Sequence, residues 1–167
     1  MSRNFIFETE RLVVTTWLAR DVDELLVVHS DEETMRFVRQ GRPETRAETA
    51  DLVDQYVAEH TFNGFTKWRL TDLHSQLIGR AGFGTHEGIQ GRELAYTIRR
   101  DRWGQGLATE VGAALVRWHM TNAPDSSLYA YVAVENPASR RVLDKIGFSY
   151  VRSEDHYGVP CELFTWA

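Results

Sequence analysis

The segment Trp103-Gly104-Gln105-Gly106-Leu107-Ala108-Thr109 carries the clearest chemistry in the sequence. It stands where an alternating apolar run, Leu94-Ala95-Tyr96-Thr97-Ile98, gives way to Leu107, Val111, Ala114 or Leu115, and Trp118, one stripe at helical spacing. Two glycines at such a strand-to-helix junction let the backbone turn tightly and expose its amides. The first N–H groups of a helix have no partner within it, and its dipole adds positive potential there. A phosphate or pyrophosphate suits that position. A P-loop would need Gly-Lys-Ser/Thr after four intervening residues, and the sequence has no such run. A dinucleotide-binding loop would want a third glycine where Thr109 stands. Taken alone, Gly104 and Gly106 also fit a tight loop without a ligand.

A second element changes that balance. Leu128 to Val134 (Leu-Tyr-Ala-Tyr-Val-Ala-Val) reads as a strand, and Glu135-Asn136-Pro137-Ala138-Ser139 as a helix start. Asn136 can cap the free amides, Pro137 suits the first helical position, and Gly147 ends the helix. Ser139, Val142, Leu143 and Ile146 then share one face, with Arg140, Arg141, Asp144 and Lys145 on the other. A hydroxyl therefore lies on the inward stripe, one turn from the end of a strand. Serine in a first helical turn also commonly bonds to backbone.

Together these segments resemble the GNAT superfamily of acyl-CoA-dependent N-acyltransferases, and within it the ribosomal-protein N-terminal alanine acetyltransferase branch. The matching residues are Glu93 to Ile98 followed by Trp103 to Glu110, and Asn136 to Phe148. The opening Glu8-Thr9-Glu10-Arg11-Leu12-Val13-Val14 and Leu77-Ile78-Gly79-Arg80-Ala81-Gly82-Phe83 also look like that branch, so the resemblance runs along nearly the whole chain. It implies that acetyl-CoA is the cosubstrate, held by Thr97, Ile98, Gly104, Gln105, Gly106, Leu107, Ala108, Thr109, Asn136 and Ser139. Two positions depart from the wider superfamily. Trp103 stands where Gln or Arg often begins the loop, a change the branch tolerates. Leu143 stands seven residues after Asn136, where many members place a tyrosine that protonates the leaving thiolate. The branch makes Ser139 the substitute.

The implied reaction transfers an acetyl group to a primary amine, on a protein N-terminus or a small molecule, by direct attack on the thioester. The attacking amine must be neutral, so a protonated substrate has to lose a proton first. A backbone amide at the end of the Tyr96–Ile98 strand would polarise the carbonyl. Glu93, Glu135, Glu154 and Asp155 are the carboxylates to weigh as base, with Glu93 ranked first. Taken singly, each is better accounted for as a solvated surface charge. Tyr157 is a candidate for lining the acceptor pocket. A domain that binds acyl-CoA without transferring the acyl group is the alternative reading. A nucleotide-binding oxidoreductase fits poorly without the third glycine.

Composition bounds the remaining classes. At 167 residues the chain suits one domain, residues 1–167, burying about 70% of its unfolded surface. The 43% apolar and 26% charged content is ordinary for a globular protein. One cysteine, Cys161, excludes an internal disulfide and a cysteine-based zinc site. The histidines at 29, 60, 74, 86, 119 and 156 lack metal-ligand spacing and read mostly as surface residues, so no metal is expected. A net charge of −5 argues against broad nucleic-acid binding. With no long apolar run and no secretory stretch, a cytoplasmic protein without membrane contact is the expectation.

The expected fold class is mixed α/β. A strand at Glu10–Trp17 precedes helices near Asp21–Ser30, Glu32–Val38 and Glu44–His60. Strands at Phe65–Thr71, Leu77–Gly84 and Arg92–Ile98 form an antiparallel meander, with a loop at His86–Gly91. The helix-connected strands ending at Ile98 and Val134 should run parallel, and the resemblance adds that they splay apart. Final strands fall near Phe148–Ser153 and Glu162–Trp166, leaving Glu154, Asp155 and His156 in the last loop.

Overall fold

The computed structural model describes residues 2–167. It contains β1 (Phe5–Glu8), β2 (Leu12–Thr15), α1 (Val22–His29), α2 (Glu32–Met35), α3 (Arg46–Asn63), β3 (Lys67–Asp72), β4 (Leu77–His86), β5 (Ile89–Ile98), α4 (Leu107–Asn122), β6 (Leu128–Ala133), α5 (Pro137–Ile146), β7 (Phe148–His156) and β8 (Val159–Trp166). The strands hydrogen-bond in the order β1-β2-β3-β4-β5-β6-β8-β7. The fold is thus mixed α/β, with a sheet that is mostly antiparallel and a parallel β5–β6 pair. The chain divides into two compact units, residues 1–82 with 96–107, and residues 83–95 with 108–167.

In the first unit the helices present an apolar stripe of Val22, Leu25, Val28, Leu52, Val53 and Tyr56, which packs with Trp17 and Leu77. Thr45 starts α3 by accepting from the Glu48 amide, while Glu48 bonds back to the Thr45 amide. That reciprocal cap moves the helix start past the expected Glu44. Gly64 stops the helix at a φ of 76°. Within the same unit β4 and the end of β5 approach closely. A Cβ on Gly79 would lie 1.9 Å from the Thr97 carbonyl oxygen, so only glycine fits there.

Under that sheet lies a buried polar network. His29 is fully buried, and its Nδ1 donates to Glu44 Oε2 at 2.9 Å. Nε2 accepts from Arg80 Nε at 3.1 Å, and Arg39 also pairs with Glu44. Both ring nitrogens are thereby satisfied by a neutral imidazole. Burial first, then the neighbouring Arg80 charge, push the His29 pKa down to about 4.

In the second unit α4 turns Val111, Ala114 and Leu115 inward, and α5 buries Leu143. Gly112 lets the two helices approach, since a Cβ there would meet Ile146 Cδ1 at 2.9 Å. The β5–β6 ladder pairs Arg92 with Leu128 and Glu93 with Tyr129. Beyond those pairs β5 runs on to Ile98 and β6 to Ala133.

Three expectations are corrected. The segment expected as a loop from His86 to Gly91 is mostly strand, with only Glu87 and Gly88 turning. Glu154, Asp155 and His156 lie on β7 rather than in a loop, because they pair with Cys161, Pro160 and Val159 of β8. The histidines are not mostly on the surface. His29 and His119 are buried, and of the six only His74 is exposed.

Candidate active site

The glycine loop has the backbone form that the sequence demanded. Gly104 and Gly106 have φ of 74° and 77°, a region that L-residues enter only at a cost. Both are exposed, as is Gln105. Three side chains of the first unit pin the loop. Trp103 Nε1 donates to the Ile98 carbonyl at 2.7 Å, which explains a tryptophan at the loop's start. Arg11 Nη1 donates to the Gln105 carbonyl at 2.8 Å. Arg102 is paired with Asp72 and lies 3.3 Å from Gln105 Oε1.

The Gln105 carbonyl is thus drawn toward a cation, and Leu107 opens α4 directly behind the loop, where a helix's first amides carry positive potential. The guanidinium of Arg11 would lie 3.6 Å from a Cβ on Gly106. Positive charge thus accompanies an amide-rich turn on a protein of net charge −5. The part played by Arg11 was illegible in the sequence, because 94 residues separate it from Gln105.

Thr97 and Ile98 are both buried. Any ligand contact they make comes through backbone rather than side chain. Leu107 is buried too, whereas Ala108 and Thr109 are half-buried at the first turn of α4.

In the second unit Asn136 caps α5 as expected. Its Oδ1 accepts from the Ser139 amide at 3.3 Å, and its Nδ2 donates to Ser139 Oγ at 3.1 Å. Pro137 occupies the first turn, and Gly147 ends the helix at a φ of 97°. The two hydrogen bonds fix both Asn136 and the Ser139 hydroxyl, and Ser139 stays half-buried.

Glu93 is half-buried on β5, opposite Tyr129 in the parallel ladder. Burial and then the Glu93 charge push the Tyr129 phenol up to about 12. Tyr131, two residues along the same face, donates its hydroxyl to Glu154. Burial and that bond hold it well above the ordinary phenol range. Glu154 also accepts from Arg152 Nε at 2.7 Å, and these two bonds hold its carboxyl below the usual range. Glu135 is exposed beyond the end of β6, and Asp155 is exposed on β7.

Around Tyr131 gathers a ring cluster that the sequence reading missed. His156 stacks on Tyr131 at 4.1 Å and 15°. His86 lies 4.6 Å from His156 and 5.7 Å from Tyr131, and Tyr157 lies 4.7 Å from His156. The only sequence signal was Tyr129 and Tyr131 alternating onto one face.

A positive-φ glycine turn opening a helix, an Asn-capped serine on the second helix, and a mixed sheet with a short parallel ladder fit one class, the acetyl-CoA-dependent N-acetyltransferases. The chain belongs to the acetyltransferase (GNAT) domain family, whose model matches residues 11–149. It is 26% identical over 145 residues to the N-acetyltransferase YoaA of Bacillus subtilis (strain 168), covering 86% of this chain and 82% of that one. The acetyltransferase of Agrobacterium tumefaciens strain C58 has the same fold, with a TM-score of 0.84 and 20% identity over 100% of this chain and 96% of that one. RimL, a ribosomal L7/L12 alpha-N-protein acetyltransferase solved with coenzyme A, superposes with a TM-score of 0.81 and 16% identity, covering 97% of each chain. Among the described residues no helix is long and apolar enough to cross a membrane. No His, Cys, Asp and Glu group among them could hold a metal ion.

Proposed function

We propose that the protein transfers the acetyl group of acetyl-CoA directly to a primary amine, carried on a small molecule or on a protein N-terminus. The observation that carries this reading is the pinned Gly104–Gly106 turn opening α4, with Arg11 beside it. The amides from Gly104 to Thr109 hold the pyrophosphate. Backbone at Thr97 and Ile98 polarises the thioester carbonyl. Ser139, held by Asn136, donates to the sulfur as the thiolate departs, and Glu93 takes the amine proton directly or through water. Residues 1–167 act as one acetyltransferase domain, since the family match includes segments of both compact units. The likeness to RimL supports a protein N-terminus as one acceptor to try. A cytoplasmic site of action completes the proposal.

Gly106→Val tests the cradle. Its φ of 77° makes valine strained, so the variant should lose roughly 1–2 kcal/mol of stability. Calorimetry on the folded fraction should still show acetyl-CoA affinity falling by at least about tenfold, because a branched Cβ blocks close approach of the pyrophosphate. Unchanged affinity would remove the loop from the cofactor site.

Glu93→Gln tests the base. Activity should fall most at low pH, where neutral amine is scarce, and recover as pH rises toward the amine's own pKa. A pH–rate profile that overlays the parent would acquit Glu93 and turn attention to Glu154.

A further inference from the structure

Gln105 sits between the two positive-φ glycines and is gripped at both ends. Its carbonyl accepts from Arg11 Nη1 at 2.8 Å, and its side-chain oxygen lies 3.3 Å from Arg102 Nε. Arg102 is aimed in its turn, because its Nη1 donates to Asp72 Oδ2 at 3.1 Å. The Asp72 side chain is only 12% exposed, so solvent screens that pair little. A turn flanked by glycines has more backbone freedom to lose than an ordinary one. Here two guanidinium groups fix its middle residue from outside the glycine pair.

Asp72 is itself held in place. It ends β3, and its Oδ1 accepts from the His74 and Gln76 amides at 2.9 and 3.0 Å. These bonds brace the turn into β4, where Ser75 takes a φ of 64° that a non-glycine residue enters at a cost. One carboxylate oxygen thus fixes the turn and leaves the other aimed at Arg102. Arg11 stands immediately before β2, and the β2–β3 register pairs Leu12 with Asp72. Both anchors therefore sit at one end of the same ladder, a firmer base than the loop they hold.

We infer that Arg11 and Asp72 are positioning residues for the cofactor loop. Arg11 directly, and Asp72 through Arg102, clamp Gln105 and hold the Gly104–Gly106 turn in its receiving form before acetyl-CoA arrives. This rests on the acetyl-transfer reading and deepens it. Gln105 is the handle of the loop, with its carbonyl and its side-chain oxygen both engaged. A loop ordered in advance spares binding the cost of ordering it, so affinity for acetyl-CoA depends on a residue 94 positions away.

Calorimetry with acetyl-CoA, together with limited trypsin digestion of the cofactor-free protein, tests the clamp. Arg11→Ala should weaken acetyl-CoA binding by at least about tenfold, since a hydrogen bond from a charged donor is lost. Arg11→Lys keeps one donor and should recover part of the loss. Asp72→Asn keeps an oxygen for the His74 and Gln76 amides but not the charge that aims Arg102. It should weaken binding by about 3- to 10-fold. In Arg11→Ala and Asp72→Asn alike, cleavage after Arg102 should quicken at least about threefold without cofactor, while Tm stays within about 3 °C of the parent. Weaker binding with parent-like cleavage after Arg102 would mean that these residues act on the cofactor rather than on the loop, and would overturn the clamp. So would parent-like acetyl-CoA affinity in both variants. A lowered Tm with faster cleavage throughout the chain would leave them a merely structural role. Failure of the parent itself to bind acetyl-CoA would overturn the cofactor reading beneath the clamp.

Discussion

Ser139→Ala should fold and bind acetyl-CoA like the parent yet turn over at least about 100-fold more slowly. The fold is spared because the Asn136 cap works through the Ser139 backbone amide, which alanine retains. What disappears is the hydroxyl that Asn136 Nδ2 holds at 3.1 Å. A hydroxyl that accepts one hydrogen bond is polarised as a donor, and in the proposed reaction its donation to the departing sulfur would offset the charge that develops there. Leu143, buried where a tyrosine would serve in many relatives of this fold, has no donor to offer. The effect should appear in kcat, with the acetyl-CoA dissociation constant by calorimetry unchanged. Parent-like turnover would reduce Ser139 to a residue that merely helps start α5.

The second large effect is on stability, and acid brings it out. His29 is held neutral among Glu44 on the loop before α3, Arg80 on β4, and Arg39. Its pKa of about 4 in the fold compares with 6.5 in the unfolded chain. Between those values the unfolded state binds the extra proton, so acid favours unfolding. The stabilisation is whole above pH 6.5, declines as pH falls, and is spent near pH 4. Between pH 7.5 and 5 the loss should be about 2 kcal/mol. Urea unfolding at the two pH values would measure it, and His29→Gln should flatten the dependence. A parent stability that is level over that range would mean that His29 takes up its proton without disturbing the network.

What the sequence revealed, and what it withheld, follows from how local each determinant is. The starts of α4 and α5 were readable because Gly104, Gly106, Asn136, Pro137 and Gly147 act on their immediate neighbours. The parallel relation of β5 and β6 followed from the helix that joins them. β1 was missed because Phe5–Glu8 is four residues long, half-buried at best, and exists through its pairing with β2. The end of β7 read as a loop because Arg152 to His156 is polar and mostly exposed. It is a strand because β8 pairs along it. The ring cluster brings together His86, Tyr131 and His156 from three strands, and no window of sequence contains them. His29 looked like a surface residue for the same reason, since Arg80 lies 51 positions away.

The most direct test of the account is to incubate the protein with acetyl-CoA and a panel of amines and peptides, following free thiol together with the mass of each amine. The account predicts thiol release that depends on the amine, matched one for one by an acetylated product. Tight acetyl-CoA binding with no amine-dependent thiol release would contradict it.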